Sequence, residues 1–207
     1  MTGIIDYDAG NIKSVEKAFR YLGEECVVTR DHALLRRADR VVLPGVGSFG
    51  EAMAQLKKYE LDKLLTELVA EKRPVLGICL GLQLLFSGSE ESGGVEGLGL
   101  LPGDILRIPA GDGLKIPHIG WNSLRLSGDG RLFSDLPGMD GCGQPYVYFV
   151  HSYYLAARDE RIVKASTEYG VRIHASVEQG NLAACQFHPE KSGAVGLGIL
   201  KNFAGRF

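Results

Sequence analysis

Apolar residues follow two rhythms along this chain, and the switch between them divides it. Up to about residue 86, short apolar runs (Ile4-Ile5, Val27-Val28, Val41-Val42-Leu43, Val75-Leu76) alternate with stretches whose apolar positions recur every three or four residues. The runs predict buried strands at 3–7, 26–28, 40–44 and 74–78. The spaced positions predict helices: Ile12, Val15, Phe19 and Leu22 on one face, a short helix at 33–35, an amphipathic helix over 61–69, and another following Gly81. Asn11 is expected to cap the first helix and Gly23 to end it. Strands alternating with helices imply a parallel sheet covered on both faces. Beyond residue 87 the helical spacing disappears. Strands are expected at 105–108, 119–126, 146–154, 162–166 and 173–187, with turns at Gly128-Asp129-Gly130 and Gly141-Cys142-Gly143, and a closing helix at 195–203. The expected fold is α/β: one domain over 1–207, with a mostly parallel central sheet, helices on both faces and an antiparallel extension.

The fourth run carries the first chemistry. Gly77-Ile78-Cys79-Leu80-Gly81 closes a strand and opens a helix, the thiol counterpart of the Gly-x-Ser-x-Gly elbow, in which small neighbours let a sharp turn hold a nucleophile out at the sheet's end. The positive end of the following helix favours an anionic sulfur there. Alone, this pattern equally describes a small buried cysteine. Gln186-Phe187-His188-Pro189-Glu190 changes the balance. The proline forces His188 towards an extended backbone, and alternation would put His188 and Glu190 on one side. A thiol needs a base, and the base needs a group to fix its tautomer; this pair supplies both.

A third segment, Pro44-Gly45-Val46-Gly47-Ser48-Phe49-Gly50, breaks the pattern at the carboxyl end of a predicted strand, where ligands of parallel sheets bind. It suits an oxyanion loop: the Leu80 N–H would provide one donor and the Gly47 N–H the second. It has no Walker lysine and no complete dinucleotide fingerprint, and an ordinary tight connection would look the same.

Composition narrows the classes. A net charge of −2 with no like-charge runs leaves no footprint for nucleic acid or an anionic membrane, and 45% apolar content over 207 residues suits a globular domain. No apolar run approaches the roughly 18 residues of a membrane span. Cysteines at 26, 79, 142 and 185 form no Cys-x-x-Cys pair, histidines at 32, 118, 151, 174 and 188 lack metal-ligand spacing, and no leader precedes the first strand. A cytoplasmic protein with reduced thiols and no metal is expected. The acidic loop 87–94 reads as solvated.

The motifs at 77–83, 44–50 and 186–191 resemble those of the class I, or triad, glutamine amidotransferases. The resemblance runs end to end. Ile-Ile-Asp-Tyr near the start, Gly10-Asn11, Pro-His-Ile-Gly-Trp-Asn at 117–122 and Tyr-Phe-Val-His-Ser-Tyr-Tyr at 148–154 are similar to the glutaminase subunits of imidazole glycerol phosphate synthases within that class. Asp8 departs from the small residue usual there, in a surface turn. The resemblance implies a class I amidotransferase-like fold, no cofactor, and a catalytic triad of Cys79, His188 and Glu190. It implies an oxyanion hole from Gly47 and Leu80. Glutamine would be held by Gly45, Gln83, Glu91, Ser152 and Tyr153, with Glu91 facing the ammonium. It also implies a heterodimer with a (β/α)-barrel cyclase subunit, which receives ammonia, and a partner interface including Asn11, Trp121, Tyr148 and Lys191. The absence of a linker after Phe207 leads us to expect that cyclase as a separate chain. A glutaminase of another pathway, or a γ-glutamyl hydrolase or cysteine peptidase, would share the triad; the first should lack the 117–122 motif and the others should need no cyclase. His151 reads as a packed strand histidine.

Overall fold

A computed structural model of the chain describes residues 1–111, 113–137 and 143–207. Its first half runs β1 (Thr2–Ile5), α1 (Ile12–Tyr21), β2 (Cys26–Thr29), α2 (His32–Arg37), β3 (Arg40–Leu43), then α3 (Phe49–Lys58), α4 (Leu61–Ala70), β4 (Val75–Ile78) and α5 (Leu80–Leu84), and all of these but α3 fall where the pattern predicts them. The second half supplies β5 (Gly103–Arg107), β6 (His118–Ser123), β7 (Arg125–Leu126), β8 (Tyr146–His151), β9 (Tyr153–Ala157), β10 (Val163–Glu168), β11 (Arg172–Gln179), β12 (Leu182–Cys185) and α6 (Gly193–Arg206). The main sheet runs β2-β1-β3-β4-β12-β11-β10-β7, parallel through β12 and antiparallel beyond it.

Because successive strand residues face opposite sides, the sheet sorts its side chains into two cores. Ile5, Val41, Leu43 and Val75 pack with Met53, Leu64 and Leu68 of α3 and α4. Ile4, Val42, Leu76 and Ile78 pack with Phe19 of α1 and Leu200 and Phe203 of α6. Each such fully buried aliphatic or aromatic side chain contributes roughly 1.5–3 kcal/mol.

The structure corrects the sequence reading in several places, and the expected strands 119–126 and 146–154 are each broken in two, β6 from β7 and β8 from β9. The helix α3 was not foreseen: Phe49, Ala52, Met53 and Leu56 form its buried face, but the glycines at 45, 47 and 50 mask the periodicity. The antiparallel extension is narrower than expected, because β5 with β9 and β6 with β8 form separate two-stranded ribbons. The span 173–187 is two strands that fold back at Gly180 (φ 59°), so β12 returns parallel to β4. Asn11 does not cap α1 through its side chain; its backbone is left-handed (φ 66°) and its amide is used elsewhere. The expected turn at 141–143 falls largely outside the described residues.

Candidate active site

The site is assembled where β4 and β12 end side by side. Cys185 pairs with Ile78, so the next residue of each strand emerges at the same level, and the Cys79 N–H donates to the Cys185 carbonyl at 2.8 Å. Cys79 sits at φ 54°, ψ −109°, a backbone state that costs a non-glycine residue on the order of 1–3 kcal/mol and survives only when its surroundings enforce it. They do so here through glycine. A β-carbon on Gly77 would press on the Gly81 carbonyl, and one on Gly81 would fall inside the van der Waals shell of the Leu43 carbonyl oxygen. The turn is therefore packed too tightly for any larger residue at either position.

Past Cys185 the chain carries Gln186 and His188 into the same place. His188 is extended (φ −100°, ψ 96°), as its following proline requires, and its N–H donates to the Tyr148 carbonyl at 2.9 Å. Glu190 reaches it differently from the expectation of strand alternation, since Pro189–Lys191 is a 3₁₀ turn that folds the carboxylate back onto the ring. His188 Nδ1 lies 2.7 Å from Glu190 Oε1. A carboxylate accepts only, so Nδ1 carries a proton and Nε2 is left for the sulfur. That Nε2 is buried and has no hydrogen-bond partner of its own. Burial opposes a charge on the ring, but the Cys79 sulfur and Glu190 outweigh it and raise His188 to about 9. That shift favours the protonated, imidazolium form of the ring.

The sign of the pH dependence follows. A group whose pKa rises on folding stabilises the fold fully below its unfolded value near 6.5, and that stabilisation is lost as pH climbs through about 9. An imidazolium needed to protonate departing ammonia vanishes over the same window. The kcat/KM for glutamine should therefore fall above about pH 9, and a Glu190→Gln variant should shift that limb downward in a pH-rate profile.

Beside the sulfur opens a cavity of about 290 Å³, and Cys79, Leu80, Gly47, Gln83, Glu91, Ser152 and Tyr153 all line it. Gln83 is no surface amide: it is buried, with Nε2 donating to the Tyr153 carbonyl at 3.0 Å and to Gln186 Oε1 at 3.1 Å. Glu91 Oε2 accepts from the Phe49 N–H at 2.7 Å. Gly45 lies behind the cavity wall, packed on the Tyr7 hydroxyl, which donates to the Pro44 carbonyl at 2.8 Å. The Leu80 N–H donates to the Gly45 carbonyl at 3.3 Å, and Gly47 takes φ 104° with open space where a β-carbon would be. One donor of the expected oxyanion hole is thus engaged within the loop, and the glycine that would supply the other is sterically free to rotate.

The four expected interface residues lie at the rim of the site. Asn11 is half-buried and touches the triad, its Nδ2 donating to Glu190 Oε1 at 2.6 Å. Trp121, Tyr148 and Lys191 form one patch: Trp121 meets Tyr148 edge-on at 6.2 Å, and Lys191 Nζ lies 6.0 Å from the centre of the Tyr148 ring.

Sequence reasoning missed Gln186, whose Nε2 lies 3.8 Å from the Cys79 sulfur. The signal was present, because Gln186 is two residues before an extended His188 and shares its face. It also set His151 aside as packing. His151 is buried and lines the cavity, and its Nδ1, 2.9 Å from the Tyr153 carbonyl, must donate; its Nε2 then accepts from His118 Nδ1 at 3.1 Å. Burial holds both rings neutral, His118 at about 4 and His151 at about 3. Among the described residues no cluster of His, Cys, Asp and Glu could hold a metal ion.

A cysteine elbow, a histidine held by a carboxylate and a glycine-rich loop around one cavity can carry out acyl transfer through a thioester. The model of the glutamine amidotransferase class I family matches residues 3–206. A solved glutamine amidotransferase superposes with a TM-score of 0.75, covering 98% of each chain at 19% identity. PurLQS from Thermotoga maritima superposes with a TM-score of 0.75 at 20% identity, covering 99% of this chain and 97% of its own. The chain belongs to the class I glutamine amidotransferases, and it is an enzyme that hydrolyses glutamine. Its sequence relatives narrow the assignment. The imidazole glycerol phosphate synthase subunit HisH of Moorella thermoacetica is 50% identical over 97% of this chain and 92% of its own length, and that of Methanothermobacter thermautotrophicus is 48% identical over 98% and 97%. Within the class, the chain falls in this HisH subunit family of histidine biosynthesis.

Proposed function

We propose that this chain, as one glutaminase domain in the cytoplasm, supplies ammonia to a separate (β/α)-barrel cyclase subunit, which makes imidazole glycerol phosphate and an aminoimidazole carboxamide ribotide. The observation that carries the partner is a two-faced ribbon. In β6 and β8, Trp121 pairs with Tyr148 and Ile119 with Val150. One face buries His118, Val147, Phe149 and His151 beside the cavity, while the other leaves Ile119, Trp121 and Tyr146 each more than half exposed, next to Lys191. Contiguous exposed aromatics with a basic neighbour are what a protein interface leaves uncovered in a free subunit. No helix among the described residues is long and apolar enough to cross a membrane.

The chemistry assigns each group one task. The Cys79 thiolate attacks the side-chain carboxamide carbon of glutamine, and the Leu80 and Gly47 N–H groups hold the resulting oxyanion. His188 protonates the leaving nitrogen, releasing ammonia, and then activates the water that cleaves the thioester and frees glutamate. Glu190 holds the ring and offsets its charge. Gln83, Glu91, Ser152 and Tyr153 hold the amino-acid end of the substrate. The resting loop supports gating, since the Leu80 N–H is bonded to the Gly45 carbonyl; in this reading the Gly47 peptide turns only when the cyclase and its ligand are bound. One missing oxyanion donor is worth roughly a hundred- to a thousandfold in rate. Mixed with a cyclase, the chain should release glutamate at least about a hundredfold faster once the phosphoribulosyl substrate is added. Equal turnover by the isolated chain and the substrate-bound complex would remove the gate.

A further inference from the structure

The first turn of α3 is held from outside. Ser48 stands at the N-cap, a residue type suited to the task, yet its hydroxyl donates to Glu51 Oε2 at 2.9 Å and caps no amide. The first two amides of the helix are taken instead by a loop some forty residues further on: the Phe49 N–H by Glu91 Oε2 at 2.7 Å, the Gly50 N–H by Ser92 Oγ at 3.1 Å. The fit is close, since a β-carbon on Gly50 would lie 2.9 Å from that Oγ. The capping loop is itself anchored. The Glu91 N–H donates to Ser89 Oγ at 3.2 Å, the Ser92 N–H to the Ser89 carbonyl at 3.1 Å, and the Glu90 N–H to the Ile105 carbonyl at 3.0 Å.

Two facts make this more than a helix cap. The clamped amides begin two residues after Gly47, so the clamp fixes one end of the oxyanion loop; the other end is fixed by Tyr7 on Pro44. Glu91 is also a wall of the glutamine cavity, and Ser92 is not. One carboxylate therefore touches both the space where the substrate's ammonium would sit and the backbone that sets the loop. Given the substrate placement proposed above, we infer that Glu91 and Ser92 form a latch: an ammonium drawn to Glu91 tightens the clamp on α3 and so fixes the Gly47 peptide for catalysis. Ser92 is a positioning residue in this scheme.

The test compares glutamine with glutaramate, the same carboxamide acid without its α-amino group, using the full chain with its cyclase and cyclase substrate. The latch requires wild-type kcat, and not only KM, to be at least about tenfold lower for glutaramate. Ser92→Ala should lower kcat for glutamine by about 3- to 30-fold, the range corresponding to a lost helix cap, with KM within about twofold. Ser92→Thr, which keeps the hydroxyl, should restore it. Glu91→Gln keeps an oxygen for the Phe49 amide but has no charge, so its kcat should be nearly the same for both substrates; this variant carries the test if Ser92→Ala does not fold. Equal wild-type kcat for the two substrates, or a Ser92→Ala protein with unchanged kcat, would overturn the latch. Absence of glutamine hydrolysis by the wild-type complex would instead remove the assignment on which the latch rests.

Discussion

A Cys79→Ala protein is expected to lose glutamine turnover by about a millionfold, close to the whole contribution of a triad acting as a unit. Assays of glutamate release in the presence of the cyclase give the direct reading. The fold should survive, because the removed sulfur makes only long contacts, 3.9 Å to the Val150 carbonyl and 3.8 Å to Gln186. The other described cysteines cannot substitute. Cys185 is fully buried beneath the site, and burial, with Glu190 and Cys79 nearby, keeps it a thiol well above the ordinary range. Cys26 lies half-buried on β2, at the far edge of the sheet. A Cys79→Ala protein retaining even a hundredth of wild-type activity would require a different nucleophile and end the thioester mechanism.

The second large effect is on stability. Gly81→Ala adds one methyl group where the Leu43 carbonyl already stands, and neither partner is a side chain that can swing aside: one belongs to β3, the other to the first turn of α5. Overpacking of this kind costs roughly 3 kcal/mol, which in a chain of this size lowers the melting temperature by about 6–12 °C. Activity should fall further than stability, since relief of the clash has to move the elbow that carries Cys79. A Gly81→Ala protein that melts within a degree or two of wild type, with normal turnover, would show that the elbow is looser than its packing.

Much of this was legible because the responsible patterns are local. Short apolar runs marked β1 to β4, period-3.6 spacing marked α1 and α4, and Gly-x-Cys-x-Gly specified a turn that only small residues permit. The rest depends on partners distant in sequence. Asn11 is a residue type that caps helices, but its Nδ2 donates to Glu190 Oε1 at 2.6 Å, which turns the side chain towards His188 and Glu190, and its left-handed backbone (φ 66°) is not the extended one a capping residue takes. Glu91 sits among serines and glycines in what looks like a solvated loop, and nothing local indicates that its acceptor role is for Phe49. Alternation placed His188 and Glu190 together for a reason that does not apply past Pro189, although the tight turn there achieves the same meeting. The ribbon of β6 and β8 read as part of the main sheet because strand spacing carries no information about which edge a strand will join.

The insertion of β12 between β4 and β11 has a consequence for the chain's own synthesis. The nucleophile and its base are more than a hundred residues apart and meet only through a parallel pairing that forms once residues 182–185 reach β4. Pairings of such long sequence separation are the slow ones. While the chain is still growing on the ribosome, the thiol at position 79 therefore has no imidazole beside it, and glutamine is consumed only after the segment carrying β12 and His188 has been made and has joined the sheet.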